Sequence, residues 1–198
     1  TAREKLASLR DVPSATRDGV DIDLHANIEL PIELSAALEN GASGIGLLRS
    51  EFMFMNKDYL PGEDEQYEEL ADIVKRMDGK PVTIRTLDIG GERLAVALQD
   101  EMGSGPNPAL GLRGVRLSFR KPELLETQLA AILRASLHGP IRVLIPMVVA
   151  VHEMTRARQI YEAVAKRLRK EGHPIPEILP PLGAMIEIPA AAIAVDTL

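Results

Sequence analysis

An amphipathic stretch that ends in glycine, followed at once by a short apolar run, recurs along this chain and constrains its fold more than any other feature. Gly41 precedes Gly44-Ile-Gly-Leu-Leu, Gly79 precedes Pro81-Val-Thr-Ile-Arg-Thr-Leu, and Gly139 precedes Pro140-Ile-Arg-Val-Leu-Ile-Pro-Met. Gly172 closes a fourth such stretch, and after a Pro-rich connection comes Gly183-Ala-Met-Ile-Glu-Ile. Glycine takes the left-handed position that stops a helix, so each of these glycines reads as a helix end. Between them the apolar residues keep the helical period: Tyr67, Leu70, Val74 and Met77 share one face, as do Met154, Ala157, Tyr161, Val164 and Leu168. The short runs are rich in Val, Ile and Leu with little alternation, as expected of parallel strands covered on both faces. With Ile22 to Leu30 as the first strand, strand and helix alternate four times before a fifth strand and the start of another helix. This is an α/β chain, read as one continuous domain.

Composition narrows the function classes. Lys and Arg total 23 against 29 Asp and Glu, a net charge of −6 that argues against a nucleic-acid or anionic-membrane surface. There is no cysteine, which removes disulfides, thiolate chemistry and cysteine-ligated zinc and fits a cytoplasmic address. The apolar stretch from Val143 to Val151 is nine residues, far below the roughly 20 needed to span a bilayer. Three Phe, three Tyr and no Trp leave little for stacking nucleobases. Residues 1 to 10 read as the tail of a helix.

The connection from Gly90 to about Asn107 is long and contains Gly90, Gly91, Gly103 and Gly105. Such connections are usually about 2–6 residues, and unusually long ones are often functional. This one leaves the C-terminal end of a strand, the catalytic end of barrels and open α/β sheets. A decorative insertion would look much the same.

Three apolar strands carry charges where core side chains are expected. Arg49 and Glu51 follow Ile45 and Leu47 on one face if alternation holds. Arg85 lies inside Val82-Thr-Ile-Arg-Thr-Leu-Asp-Ile with Asp88 on the opposite face, and Glu187 lies within Ala184-Met-Ile-Glu-Ile-Pro. Charged residues are almost never fully buried unless paired, so a structural ion-pair network explains any one of them. Together, however, all fall toward strand C-termini and would converge on one barrel mouth. Guanidiniums that bond phosphate or carboxylate bidentately, beside a lone carboxylate suited to Mg²⁺, point to a phosphate- or carboxylate-binding α/β enzyme. Arg113 and Arg116 follow the long loop and can reach the same mouth, or they are solvated helix arginines. Asn27 sits near the end of the first strand and can hydrogen-bond into the mouth. His25, His138, His152 and His173 have no metal-ligand spacing and read as structural or surface residues. Glu63-Asp-Glu-Gln-Tyr-Glu-Glu reads as an acidic helix start that complements the macrodipole. Ile45, Met53 and Met55 read as packing.

Several blocks, in order and at consistent spacing, resemble enzyme I of the bacterial sugar phosphotransferase system. They are Gly44-Ile-Gly-Leu-Leu-Arg-Ser-Glu-Phe-Met-Phe-Met, Leu60-Pro-Gly-Glu-Asp-Glu-Gln, Thr83-Ile-Arg-Thr-Leu-Asp-Ile-Gly-Gly and Asn107-Pro-Ala-Leu-Gly-Leu-Arg. Ile132-Leu-Arg-Ala-Ser, Leu144-Ile-Pro-Met and Gly183-Ala-Met-Ile-Glu-Ile-Pro-Ala-Ala continue the series over nearly the whole chain. The resemblance implies a (β/α)8 TIM barrel, here incomplete at about five of eight βα units, with residues 1–18 as linker helix and lead-in and 19–198 as the partial barrel. It implies binding of phosphoenolpyruvate and Mg²⁺, and a homodimer. It further implies phosphoryl transfer to a histidine on a separate domain, then to a histidine-containing phosphocarrier protein that serves sugar uptake. By motif position, Arg49, Arg85 and Arg113 correspond to substrate-binding arginines and Glu187 to one of two Mg²⁺ carboxylates.

The sequence departs from the family pattern in places. Where the family has Gly-Gly-Asp-Lys this chain has Gly90-Gly91-Glu92-Arg93, similar in charge and different in reach. Ala150 stands where a Ser usually caps the fourth helix, so that cap must come from elsewhere. By the resemblance, the second Mg²⁺ carboxylate, a substrate-binding Asn and Arg and an acid Cys would lie beyond Leu198, and the acceptor histidine upstream. No catalytic residue is therefore expected within the chain, which reads as an inactive fragment. Its outer strands would be open edges that invite self-association. A pyruvate phosphate dikinase or phosphoenolpyruvate synthase relative is the alternative within the same chemistry. A non-catalytic phosphoenolpyruvate-binding module is the alternative outside it.

Overall fold

A computed structural model of the chain describes residues 9–10, 12–55, 57–89 and 111–198. The strands are β1 (His25–Ile28), β2 (Gly44–Arg49), β3 (Val82–Arg85), β4 (Ile141–Ile145) and β5 (Leu182–Ala184). The helices are α1 (Glu33–Glu39), α2 (Glu63–Arg76), α3 (Gly114–Arg120), α4 (Pro122–Ala135), α5 (Val151–Glu171) and α6 (Pro189–Ile193). Each neighbouring pair of strands is parallel and the order is β1-β2-β3-β4-β5, the sequential order of a βα-barrel wall.

The expected α/β rhythm is present, and its punctuation follows from local chemistry. Gly41, Gly79 and Gly172 have φ of 82°, 80° and 81°, the left-handed geometry that stops a helix. Gly139 differs: its φ of 167° is extended, because a 3₁₀ turn over Ser136–His138 closes α4 before the glycine. Pro122 separates α3 from α4, since it lacks an N–H and holds Lys121 out of the helical region at ψ 76°. Ala150 offers no side-chain acceptor at the start of α5. Glu153 Oε2 instead accepts the N–H groups of Val149 at 2.6 Å and Ala150 at 3.2 Å, so the cap does come from elsewhere.

The first strand is shorter than the expected Ile22–Leu30. Ile22 donates its N–H to Ser14 O at 2.7 Å, and Ala15 bridges Asp21 antiparallel. That small hairpin draws the chain away from the sheet until His25.

The core lies on one face of the sheet. Ile28, Ile45, Leu48, Val82, Ile84, Ile141, Val143 and Ile145 are buried, in one cluster with Leu70 and Val74 of α2, Leu129 and Ile132 of α4, and Tyr161 and Val164 of α5. The opposite face is not covered as the continuous apolar runs suggested. Leu47, Arg49, Thr83, Arg85 and Leu144 are part-exposed there and Arg142 is exposed. The reason lies in the residues: β3 and β4 do alternate, with Thr83, Arg85 and Arg142 between their buried neighbours, which is the pattern of a sheet with one polar face. No helix among the described residues is long and apolar enough to cross a membrane.

Candidate functional site

β2 carries one residue more than its neighbours between Ile45 and Leu48. Ile45 pairs with Val82 and Leu48 with Ile84, a step of three residues against two, and the β1 register shifts at the same place. The extra residue falls at Gly46, where a Cβ would lie 2.9 Å from His25 Cβ, so glycine is required by close approach. Strict alternation would put Arg49 on the face of Ile45. The bulge instead makes Arg49 the register partner of Arg85, and parallel partners point to the same side. Two guanidiniums therefore stand side by side at the C-terminal ends of β2 and β3.

Carboxylates hold both. Arg49 Nη1 donates to Glu29 at 3.1 Å, with both side chains 38% exposed. Glu29 follows β1 in a loop ordered by Glu33, whose Oε2 accepts the N–H groups of Glu29 at 2.8 Å and Leu30 at 2.9 Å. The bonds from Leu30, then Glu29, hold the Glu33 carboxyl below its ordinary pKa. Arg85 Nη2 donates to Glu51 Oε1 at 3.1 Å, and the same oxygen accepts the Asp88 N–H at 2.8 Å. Glu51 sits in a 3₁₀ turn, Ser50–Met53, pinned by buried Met53 and Phe54.

Asp88 joins the remaining groups. Its buried carboxylate lies 3.4 Å from Arg85 Nη1, and it accepts both Arg113 Nε at 3.0 Å and Arg113 Nη2 at 3.1 Å. The hydrogen bonds to Asp88 raise the Arg113 pKa above its ordinary value, against the pull of desolvation, with the Glu187 and Glu51 charges adding to the effect. The strand ends at Arg85, so alternation no longer governs Asp88, and it meets Arg85 rather than facing away. Gly114, at φ 52°, lets this turn close. A Cβ there would lie 2.8 Å from Met147 Cγ and 3.2 Å from Asp88 Oδ1. Met147, itself at φ 59°, donates its N–H at 2.7 Å to Glu187 Oε1, which orients that exposed carboxylate.

The expected residues thus fall at one end of the sheet, though not with the expected partners. Arg49 pairs with Glu29, which sequence reasoning missed: Glu29 lies just past β1, and only the β1–β2 register brings it beside Arg49. Arg116 donates to Gly111 O at 3.1 Å. Asn27 is exposed. His138 Nε2 lies 3.0 Å from Tyr67 Oη, a structural role as expected. The acidic start of α2 does more than complement a dipole. Arg134 of α4 reaches Glu63 at 2.8 Å and Asp64 at 2.7 Å, and Arg167 of α5 reaches Glu63 at 2.9 Å. Gly90 to Asn107, with Glu92 and Arg93, and the expected helix tail at 1–8 lie outside the described residues.

Among the described residues, Arg49 Nε, Ser50 Oγ, Glu51 Oε2 and Arg85 Nε are buried here without a hydrogen-bond partner, as are Gln66 Oε1 and Gln128 Nε2 on the helices. Leaving a buried donor unmade costs about 1–3 kcal/mol, so the first four atoms mark the ends of β2 and β3 as incompletely satisfied. The model of the family described as "PEP-utilising enzyme, PEP-binding domain" matches residues 3–198. The chain belongs to this family. Curated relatives of this PEP-binding domain are named phosphoenolpyruvate-protein phosphotransferase. That of Cupriavidus necator is 46% identical over 192 residues, 96% of this chain and 33% of the relative. Those of Staphylococcus aureus and Staphylococcus carnosus are 42% and 41% identical over 196 residues, 98% of this chain and 33% of each relative. The PEP-binding domain seen here thus spans about one third of the length of the curated relatives it matches.

Proposed function

We propose that this chain is the substrate-binding part of a cytoplasmic phosphoenolpyruvate–protein phosphotransferase. It holds phosphoenolpyruvate at the C-terminal ends of β2 and β3. Arg49 and Arg85 take the phosphate, with Arg113 beside them. The observation that carries this reading is that Arg49 and Arg85 are register partners on one face, each guanidinium held in place by a carboxylate. Phosphoryl transfer is largely positioning and neutralisation of spreading charge, and paired arginines supply both.

Glu187 is the candidate Mg²⁺ ligand. Its carboxylate is exposed and oriented by the Met147 N–H, which fits an ion that takes one or two carboxylates and fills its shell with water and substrate oxygens. When bound, Mg²⁺ would neutralise phosphate charge.

In this reading residues 1–18 lead into a barrel wall formed by 19–198, and the wall closes with further strands and dimerises as a whole. The phosphoryl group leaves for a histidine outside this chain, then for a phosphocarrier protein. The test is to incubate the whole protein with phosphoenolpyruvate labelled at phosphorus and map the label. It is expected on a histidine outside residues 1–198. Label on His25, His138, His152 or His173 overturns the assignment.

A further inference from the structure

We propose that Glu51 is a positioning residue that sets Arg85 for its anion. The inference rests on the reading that Arg85 binds the phosphate of phosphoenolpyruvate.

One oxygen, Glu51 Oε1, accepts from Arg85 Nη2 at 3.1 Å and from the Asp88 N–H at 2.8 Å. It therefore ties the guanidinium to the backbone that carries Asp88. Both Arg85 and Glu51 are only 13% exposed, so this is not a solvated surface pair. The backbone of Glu51 is fixed in turn, because Phe54 donates to Glu51 O at 2.9 Å and Met53 and Phe54 are buried in the core. Arg85 Nη2 donates to Glu51 and Nη1 lies 3.4 Å from Asp88, which leaves further N–H donors on both terminal nitrogens. The position of the Nη2 contact thus decides how the planar guanidinium presents its remaining donors.

Removing the Glu51 charge has two opposed effects on an incoming phosphate. It lifts a repulsion, and it releases the guanidinium. Release dominates here, for two reasons. The Glu51 charge is already compensated by Arg85 at hydrogen-bond distance. A freed Arg85 also has a competing partner, Asp88, whose two oxygens already hold Arg113. A shift of Arg85 onto Asp88 would misplace both arginines. A long side chain regains most of its rotamer freedom when its clamp is cut, and binding must then restrict it again. Glu51→Gln keeps the shape but exchanges the charged acceptor of Arg85 Nη2 for a neutral amide oxygen and puts a donor at the partnerless Oε2 position, so the hold on the guanidinium weakens.

The experiment is a double-mutant cycle on the whole protein, with phosphoenolpyruvate binding measured by calorimetry and melting temperature recorded alongside. The variants are Glu51→Gln, Arg85→Met and both together. Glu51→Gln is expected to weaken binding at least about 10-fold in the parent and less than about 2-fold once Arg85 is Met, because Glu51 acts through Arg85. An equal loss in both backgrounds, or no loss in the parent, overturns the inference. If Glu51→Gln depletes the folded protein, the same cycle is run with Glu51→Asp, which keeps the charge and is too short to reach both donors. Failure of the underlying reading looks different. In that case the parent does not bind phosphoenolpyruvate, or Arg85→Met alone leaves binding unchanged.

Discussion

Arg49 and Arg85 are register partners on neighbouring parallel strands only because β2 holds one extra residue, Gly46, between Ile45 and Leu48. Without that bulge Arg49 would align with Thr86 and face the core side, and the two guanidiniums would point apart. In the proposed function the bulge therefore shapes the anion site by setting the side to which Arg49 points.

Gly46→Ala tests this directly. Its Cβ would lie 2.9 Å from His25 Cβ, so β1 must shift or the bulge must relax. The expected cost is about 1–3 kcal/mol of folding stability, read from urea denaturation. A loss of phosphoenolpyruvate affinity should accompany it, since Arg49 moves with the strand.

How much of this was legible in the residues differs from feature to feature. The helix ends at Gly41, Gly79 and Gly172 could be read because a left-handed position has a residue preference. Gly139 carries the same letter in an extended conformation, and the local difference is Pro140 directly after it, which biases the preceding residue to extended backbone. The charges at strand ends were legible as a convergent set, because Arg and Glu in apolar runs are rare. Their pairing was not, because it depends on register. Gly44-Ile-Gly46 inside a strand is the one signal that could have announced the bulge. Glu29 carried no signal of its own, and the contact of Asp88 with Arg85 depends on where β3 stops. The polar face opposite the core was visible in Thr83, Arg85 and Arg142, and the apolar count of the runs outweighed it.

Gly114→Ala should disturb the other half of the site. Gly114 has φ 52°, and a Cβ would press on Met147 Cγ at 2.8 Å and Asp88 Oδ1 at 3.2 Å. Strain and overpacking together should cost about 1–3 kcal/mol, measured by chemical denaturation. The bidentate Arg113–Asp88 contact should loosen, so phosphoenolpyruvate binding should weaken as well.

Away from the site, Arg134 joins α4 to the start of α2. It is 14% exposed, bonds Glu63 and Asp64, and lies 4.3 Å from the Tyr67 ring centroid. Asp64 is 83% exposed and contributes little, so Glu63 and the ring carry most of the effect. Arg134→Met should cost about 1–3 kcal/mol, with the loss smaller at high salt in a denaturation series.

His138 gives the fold a pH dependence of known sign. Burial, then the Lys75 charge, hold its pKa below the ordinary value of 6.5. The fold therefore favours the neutral ring. The stability it contributes is complete above that value and declines as pH falls through the lower, folded-state pKa. Thermal unfolding between pH 8 and pH 5 should show this decline, and His138→Gln should flatten that part of the profile.

The central claim is that Arg49 and Arg85 form one anion site at the C-terminal end of the sheet. Calorimetric titration of the whole protein with phosphoenolpyruvate, in the parent and in Arg49→Met, Arg85→Met and Arg142→Met, tests it most directly. Arg142 lies on the same face of β4 and pairs with Thr83, toward the other end of the strands, so it serves as the control. The account predicts losses of about 10- to 100-fold for the first two variants and none for the third, as expected for a charge-assisted hydrogen bond. Unchanged binding in Arg49→Met and Arg85→Met, or an equal loss in Arg142→Met, would contradict it.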